Sequence, residues 1–223
     1  MAKYAASWSG GKDSCFACWK AMEQGLEINY LLNITEATSK RSMSHGLNRE
    51  LIALQAAALG IPMLQRKATW ETYEAKFKLA LGQLKLKGIS GLITGDIYLQ
   101  EHKDWVDRVC AESGIEAVLP LWQMDTSQLL PDFIKAGFKA IIVGVKTEFF
   151  DALWLGRQIN HELANDLQKL ATKANIDPCG EAGEFHTFVY DGPLFHKPVH
   201  IVRTETVTKD GYLFLDIKEY RLG

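Results

Sequence analysis

From residue 4 to residue 122 the chain alternates short apolar runs with amphipathic stretches, and that rhythm limits the folds open to it. The runs at 4–9, 28–34, 61–66, 89–97 and 117–122 have the length and composition of buried strands. Between them, residues 12–24, 47–59, 71–87 and 100–113 have helical spacing: Tyr73, Phe77, Leu81 and Leu84 share one stripe, and Gly25, Gly60 and Gly88 stand as stop signals. Strands that alternate with helices pair in parallel, because each helix returns the chain to the same end of the sheet and covers one of its faces. The expectation is an α/β fold built on a five-stranded, mostly parallel sheet flanked by helices.

After Trp122 the rhythm changes. A helix near 126–136 leads to a strand at 140–145. Residues 151–173 then read as one long helix, with Asp151 as N-cap and Leu155, Ile159, Leu163, Leu167 and Leu170 on one stripe. Residues 199–221 read as two strands joined at Lys209-Asp210-Gly211, a hairpin turn signal. This stretch predicts a smaller α+β domain, and the expected division is 1–124 for the first domain and 125–223 for the second. The open edge of the hairpin is where a second copy would pair in a homodimer.

The first expected strand runs into Ser9-Gly10-Gly11-Lys12-Asp13-Ser14, and a helix follows at once. That arrangement suits a phosphate. Gly10 and Gly11 let the backbone turn tightly and approach an anion, and the first N–H groups of a helix lack intrahelical acceptors. Lys12 adds a full positive charge, and the Ser9 and Ser14 hydroxyls add donors. Asp13 repels a bare polyphosphate; it fits either as a helix cap or as a partner for the Mg²⁺ that accompanies ATP. A plain strand–helix turn has two glycines as well, but it has no need of the Ser-x-x-Lys-Asp-Ser context. The spacing is not G-x-x-x-x-G-K-[ST], so this is not a Walker A loop.

Residues 9–14 resemble the pyrophosphate (PP-) loop of the N-type ATP pyrophosphatases, in the adenine-nucleotide α-hydrolase-like superfamily. Within that group the chain is similar to the diphthine–ammonia ligase family along nearly all its length. Gly95-Asp96-Ile97, Pro120-Leu121-Trp122, Leu155-Gly156-Arg157 and the run from Asp177 to Phe188 support the likeness. The last of these contains Glu181-Ala182-Gly183-Glu184-Phe185, where the family has Glu-Gly-Gly-Glu and an aromatic, so Ala182 departs from the pattern. The resemblance implies a HUP/Rossmann-like nucleotide domain of residues 1–124, followed by a substrate-binding domain of residues 125–223. It also implies a ligase that cleaves ATP to AMP and pyrophosphate by adenylating a carboxylate, which ammonium then converts to an amide. The carboxylate would be that of diphthine on elongation factor 2. Other activities of the superfamily, tRNA modification or nucleotide amidation and thiolation, are the alternatives, as is a nucleotide-binding module without turnover.

Further candidates follow from position and from that likeness. Glu181 and Glu184, in a stretch of turn formers, suit a base or a site for a cationic substrate, and equally a solvated acidic turn. With Ala182, Gly183 and Phe185 they form the expected substrate loop, and with Lys12 and Asp13 the expected catalytic set. Gly95 and Asp96 end a strand of the sheet, where open α/β folds place ligands. Asn33 and Thr35 end another, where the superfamily reads adenosine. His45, in Ser42-Met43-Ser44-His45-Gly46, is expected near the phosphates, and Arg157 is a candidate for the substrate carboxylate.

Composition excludes several classes. Hydrophobic residues at 47% and charged residues at 23% describe a globular chain, and a net charge of -2 leaves no basic footprint for nucleic acid. There is no 18-residue apolar run for a membrane. Cys15, Cys18, Cys110 and Cys179 without an export signal predict reduced thiols in the cytoplasm. Cys15 and Cys18, at i and i+3 beside Phe16 and Trp19, read as core thiols, and the six histidines show no zinc spacing.

Overall fold

The computed structural model describes residues 2–43 and 45–223, so Ser44 of the His45 segment lies outside the described residues. Strands β1 (Lys3–Ser7), β2 (Glu27–Glu36), β3 (Met63–Ala68), β4 (Ile89–Ile93) and β5 (Glu116–Val118) form one sheet in the order β3-β2-β1-β4-β5. Every pairing in it is parallel. Helices α1 (Lys12–Glu23), α2 (Arg49–Leu59), α3 (Tyr73–Leu86) and α4 (Gln100–Ser113) fill the crossovers. Phe16, Leu51 and Ile52 belong to one apolar cluster, and Phe77, Leu81, Leu84, Val106 and Val109 to another, so the sheet is buried on both sides. The chain winds outward from β1 through β2 to β3, then restarts on the other side with β4 and β5. A crevice opens above the carboxyl ends of β1 and β4, where the winding reverses.

The second half adds α5 (Thr126–Lys135), β6 (Lys139–Lys146), α6 (His161–Ala174), β7 (Phe185–Asp191), β8 (Val199–Lys209) and β9 (Tyr212–Leu222). These strands form an antiparallel sheet in the order β7-β6-β9-β8. The hairpin turn is the expected one, with Asp210 and Gly211 at φ of 51° and 79°. The two sheets share a core. Phe16 of α1 meets Phe133 of α5 edge-on at 5.9 Å between ring centroids, and Phe138 at 6.3 Å.

One expectation needs correction. The helix read over 151–173 is broken. Asp151 caps only a 3₁₀ turn, Ala152–Trp154, and α6 begins at His161 under its own cap, Asn160. Between them the chain runs alongside β6: Gly156 N–H donates to Ile142 O at 2.9 Å, Ile142 N–H to Arg157 O at 3.0 Å, and Ile159 N–H to Ala140 O at 2.8 Å. The reason is an unfilled edge. β9 pairs with β6 only at Gly144, Val145 and Lys146, which leaves the first half of β6 in need of partners. Gly156, at φ 78°, lets the chain turn into that slot. β7 received no assignment from the sequence, because turn formers crowd the residues just before it. All four cysteines are buried free thiols. Among the described residues no helix is long and apolar enough to cross a membrane.

Candidate active site

The loop at residues 9–14 leaves β1 and enters α1 with Gly10 at φ 85° and Gly11 as an N-cap that makes no side-chain hydrogen bond. The loop is held from outside. Gly10 O accepts from Val189 N–H of β7 and from Gln55 Nε2, each at 3.0 Å. Gln55 in turn donates to Val189 O at 2.6 Å and accepts from Trp8 Nε1 at 2.7 Å. Lys12 N–H donates to Thr187 Oγ1 at 2.9 Å. A Cβ on Gly11 would stand 2.8 Å from His45 Nε2 and 3.2 Å from Thr187 O, so a larger residue there would have to displace the imidazole. Ser9 Oγ and Ser14 Oγ lie 3.1 Å apart across the loop.

Lys12 is 3% exposed. Its Nζ lies 2.9 Å from Asp13 Oδ2 and 5.1 Å from the centroid of the Phe185 ring. Burial works against the ammonium charge, but Asp13, Cys179 and Glu181 together outweigh it and hold the Lys12 pKa above its ordinary value. The other carboxylate oxygen, Asp13 Oδ1, is buried without a partner among the described residues. A buried carboxylate oxygen without a protein partner suits an ion or a water.

Beside the loop lies a cavity of about 600 Å³, lined by Ser9, Asp13 and Ser14, by Gly95 and Asp96, by Glu181, Ala182 and Gly183, and by His45. Gly95 comes so close to α1 that a Cβ there would sit 2.7 Å from the Asp13 carbonyl carbon. Asp96 faces His102 at 3.4 Å and raises its pKa. Glu181 Oε1 accepts from Ile97 N–H at 2.9 Å. Burial pushes the Glu181 pKa up to about 7, with Asp13 and Asp96 adding to the rise and the Ile97 N–H and Lys12 opposing it. Residues from both halves of the chain therefore face one space.

Glu184 serves the loop instead. Its Oε1 accepts from Asp177 N–H at 2.9 Å, while Asp177 accepts from Cys179 N–H at 3.0 Å and Glu181 N–H at 2.9 Å. Glu184 Oε2 is buried and unpartnered among the described residues, but Glu184 is not among the residues lining the cavity. Ala182 needs no glycine-only backbone: among the described residues the non-glycines at positive φ are Gln123, Asn175 and Asp210, whereas Gly183 does stand at 82°. Ala182 O accepts from Lys146 Nζ at 3.3 Å.

Four other expected site residues lie elsewhere or are occupied. Asn33 Nδ2 donates to Trp8 O at 2.8 Å and Ser42 Oγ at 3.1 Å, and Asn33 Oδ1 accepts from Gln65 Nε2 at 3.3 Å. Thr35 Oγ1 donates to Arg66 O at 3.3 Å. Arg157 is spent on Asp166 at 2.6 Å and on the Trp154 ring, 4.6 Å from its centroid, and it does not line the cavity. Phe185 is buried beneath Lys12.

Residues missed in the sequence complete the place. His186 packs against His45 with ring centroids 4.7 Å apart and stacks on Tyr212 at 5.8 Å, which stacks on Phe214 at 5.5 Å. Burial, then Lys12, lowers the His186 pKa to about 4, and burial, then His186 and Lys12, lowers that of His45. Both imidazoles are neutral near pH 7. They also wall a second cavity of about 470 Å³, which includes Arg41, Tyr212, Phe214 and Asp216 and shares Trp70 with the first. The only trace of this in the sequence was the run of β-forming and aromatic residues after Glu184.

Residues 2–117 match the diphthamide synthase N-terminal domain, and residues 125–222 the diphthamide synthase C-terminal domain. The chain is 29% identical over 220 residues to the diphthine–ammonia ligase of Danio rerio, covering 89% of this chain and 86% of that protein. To that of Homo sapiens it is 25% identical over 241 residues, covering 98% and 90%. To that of Schizosaccharomyces pombe it is 28% identical over 221 residues, covering 89% of this chain and 36% of the relative, so the chain spans about a third of that protein. A solved structure of a predicted subunit of tRNA methyltransferase from Methanocaldococcus jannaschii superposes with a TM-score of 0.46 at 15% identity, covering 85% of this chain and 96% of the other.

Proposed function

The chain belongs to the diphthamide synthase family, and on that premise we propose that it is a carbon–nitrogen ligase that uses ATP and ammonium to amidate the carboxylate of diphthine. The observation that carries the reading is the meeting, in one cavity, of the phosphate-loop residues Ser9, Asp13 and Ser14 with Glu181. Residues 1–124 then bind the nucleotide, and residues 125–223 complete the site for the acceptor, a modified side chain of elongation factor 2.

In the first step a carboxylate oxygen of the acceptor attacks the α-phosphorus, the bond to the bridging oxygen breaks, and pyrophosphate leaves. The Lys12 charge and the α1 amides that follow it, those of Asp13 and Ser14, hold the charge that develops on the departing group. In the second step ammonia attacks the acyl carbon and AMP leaves with the carboxylate oxygen. Ammonium must lose a proton before it can attack. Glu181, with a pKa of about 7 beside Asp13 and Asp96, attracts the cation and accepts that proton. Among the described residues no cluster of His, Cys, Asp or Glu side chains holds a metal unaided. The unpartnered Asp13 Oδ1 does fit a Mg²⁺ brought in on the nucleotide, where the ion would offset phosphate charge. The buried free thiols and a translation-factor acceptor both suit the cytoplasm.

The test is to incubate the protein with α-labelled ATP, ammonium chloride and elongation factor 2 carrying diphthine. The expected products are AMP, pyrophosphate and the amide in equal amounts. ADP as the nucleotide product, or AMP release indifferent to the acceptor, overturns the proposal.

A further inference from the structure

Trp70 is 73% exposed, the one strongly exposed indole among the described residues, and it stands where the two cavities meet. Its ring packs on Tyr73 at 5.9 Å with 29° between planes, and Tyr73 packs on Phe77 at 5.9 Å with 23°. Trp70 is thus the outer rung of a ladder of rings rooted in the core, and its other face is open. Tyr73, Phe77 and Trp105 line the same cavity as the phosphate-loop serines. A cavity with phosphate donors and a partly exposed aromatic ladder has the two chemistries that a nucleotide presents, an anion and a flat π-system.

The end of β2 offers no rival means of reading the base with side chains. Both polar groups of Asn33 and the Thr35 hydroxyl are satisfied within the protein, and both residues are buried. The geometry points to Trp70 as the residue that stacks on the adenine ring, with Tyr73 supporting it from behind. The inference rests on nucleotide binding by this cavity and adds the residue that grips the base. Stacking engages the face of a ring and ignores its edges, so the contact contributes affinity without choosing among purines.

Isothermal titration without acceptor tests it, using ATP, AMP and inorganic pyrophosphate with the wild-type protein, Trp70→Ala and Trp70→Phe. Trp70→Ala is expected to weaken ATP and AMP by about tenfold and to leave pyrophosphate unchanged, while Trp70→Phe stays within about threefold of wild type. Unchanged ATP affinity in Trp70→Ala overturns the inference. So does an equal loss for pyrophosphate, which would mean that the loop itself was disturbed. The ligase reading fails separately, through AMP release that does not depend on acceptor, whatever Trp70→Ala does to nucleotide binding.

Discussion

Thr187 Oγ1 accepts a hydrogen bond from the backbone N–H of Lys12 at 2.9 Å, joining the first residue of α1 to a strand 175 positions later. Val189 N–H repeats the attachment at Gly10 O, 3.0 Å away. β7 is an edge strand of its sheet, and its outer edge would otherwise be bare. The phosphate loop takes the place of the next strand. One set of hydrogen bonds thereby covers the edge and sets the loop.

Thr187→Val keeps the shape of the side chain but strands the Lys12 N–H in a buried position. An unsatisfied buried donor costs about 1–3 kcal/mol. Urea denaturation should show a loss in that range, with weaker ATP binding alongside it, and Thr187→Ser should recover most of both.

Lys12→Ala removes the one ammonium inside the loop and leaves Asp13 without its partner. The kcat/KM for ATP should fall about tenfold or more, equivalent to about 1.4 kcal/mol or more on the barrier. Steady-state AMP release measures it, and unchanged kinetics would remove the loop from the mechanism.

The pH profile follows from Glu181. A base with a pKa of about 7 is protonated and idle in acid, so the rate at saturating ammonium should rise with pH through about 7. Stability moves the other way. The folded pKa is raised, so the contribution of Glu181 is fully present below its unfolded value, about 4.3, and is lost as pH rises through the folded one. Glu181→Gln should abolish the rising limb of the rate and flatten that part of the stability curve. A limb that survives in the variant assigns the proton to another group.

Gly95→Ala puts a methyl group 2.7 Å from the Asp13 carbonyl carbon, where backbone rather than a yielding side chain stands in the way. Forcing the end of β4 away from α1 should cost about 1–3 kcal/mol in thermal or urea melts and weaken ATP binding in step. Gly82→Ala is the control, since nothing lies within 4 Å of its added Cβ.

The strand–helix alternation and the loop at residues 9–14 were legible in the sequence because both are local. Periodicity marks a buried face, and glycines next to lysine and serine mark an anion site. What escaped depends on partners far along the chain. Leu155 and Ile159 keep a helical spacing with Leu163, yet the free edge of β6 draws residues 156–159 into an extended course that no local pattern announces. Asn33 has the right type and place to read a base, but Trp8, Ser42 and Gln65 already occupy it. His186 and Thr187 escaped because β7 has no local strand signal strong enough to assign it, and an unassigned segment has no facing direction from which to infer contacts.

The attachment of Gly10 to Val189 also sets an order in time. As the chain leaves a ribosome, β1 and its loop emerge before Gln55, and both emerge well before Val189. A nascent chain that has delivered the whole parallel sheet still lacks the strand that shapes its phosphate site. Nucleotide capture is then expected to wait for β7, whose attachment ties the loop down.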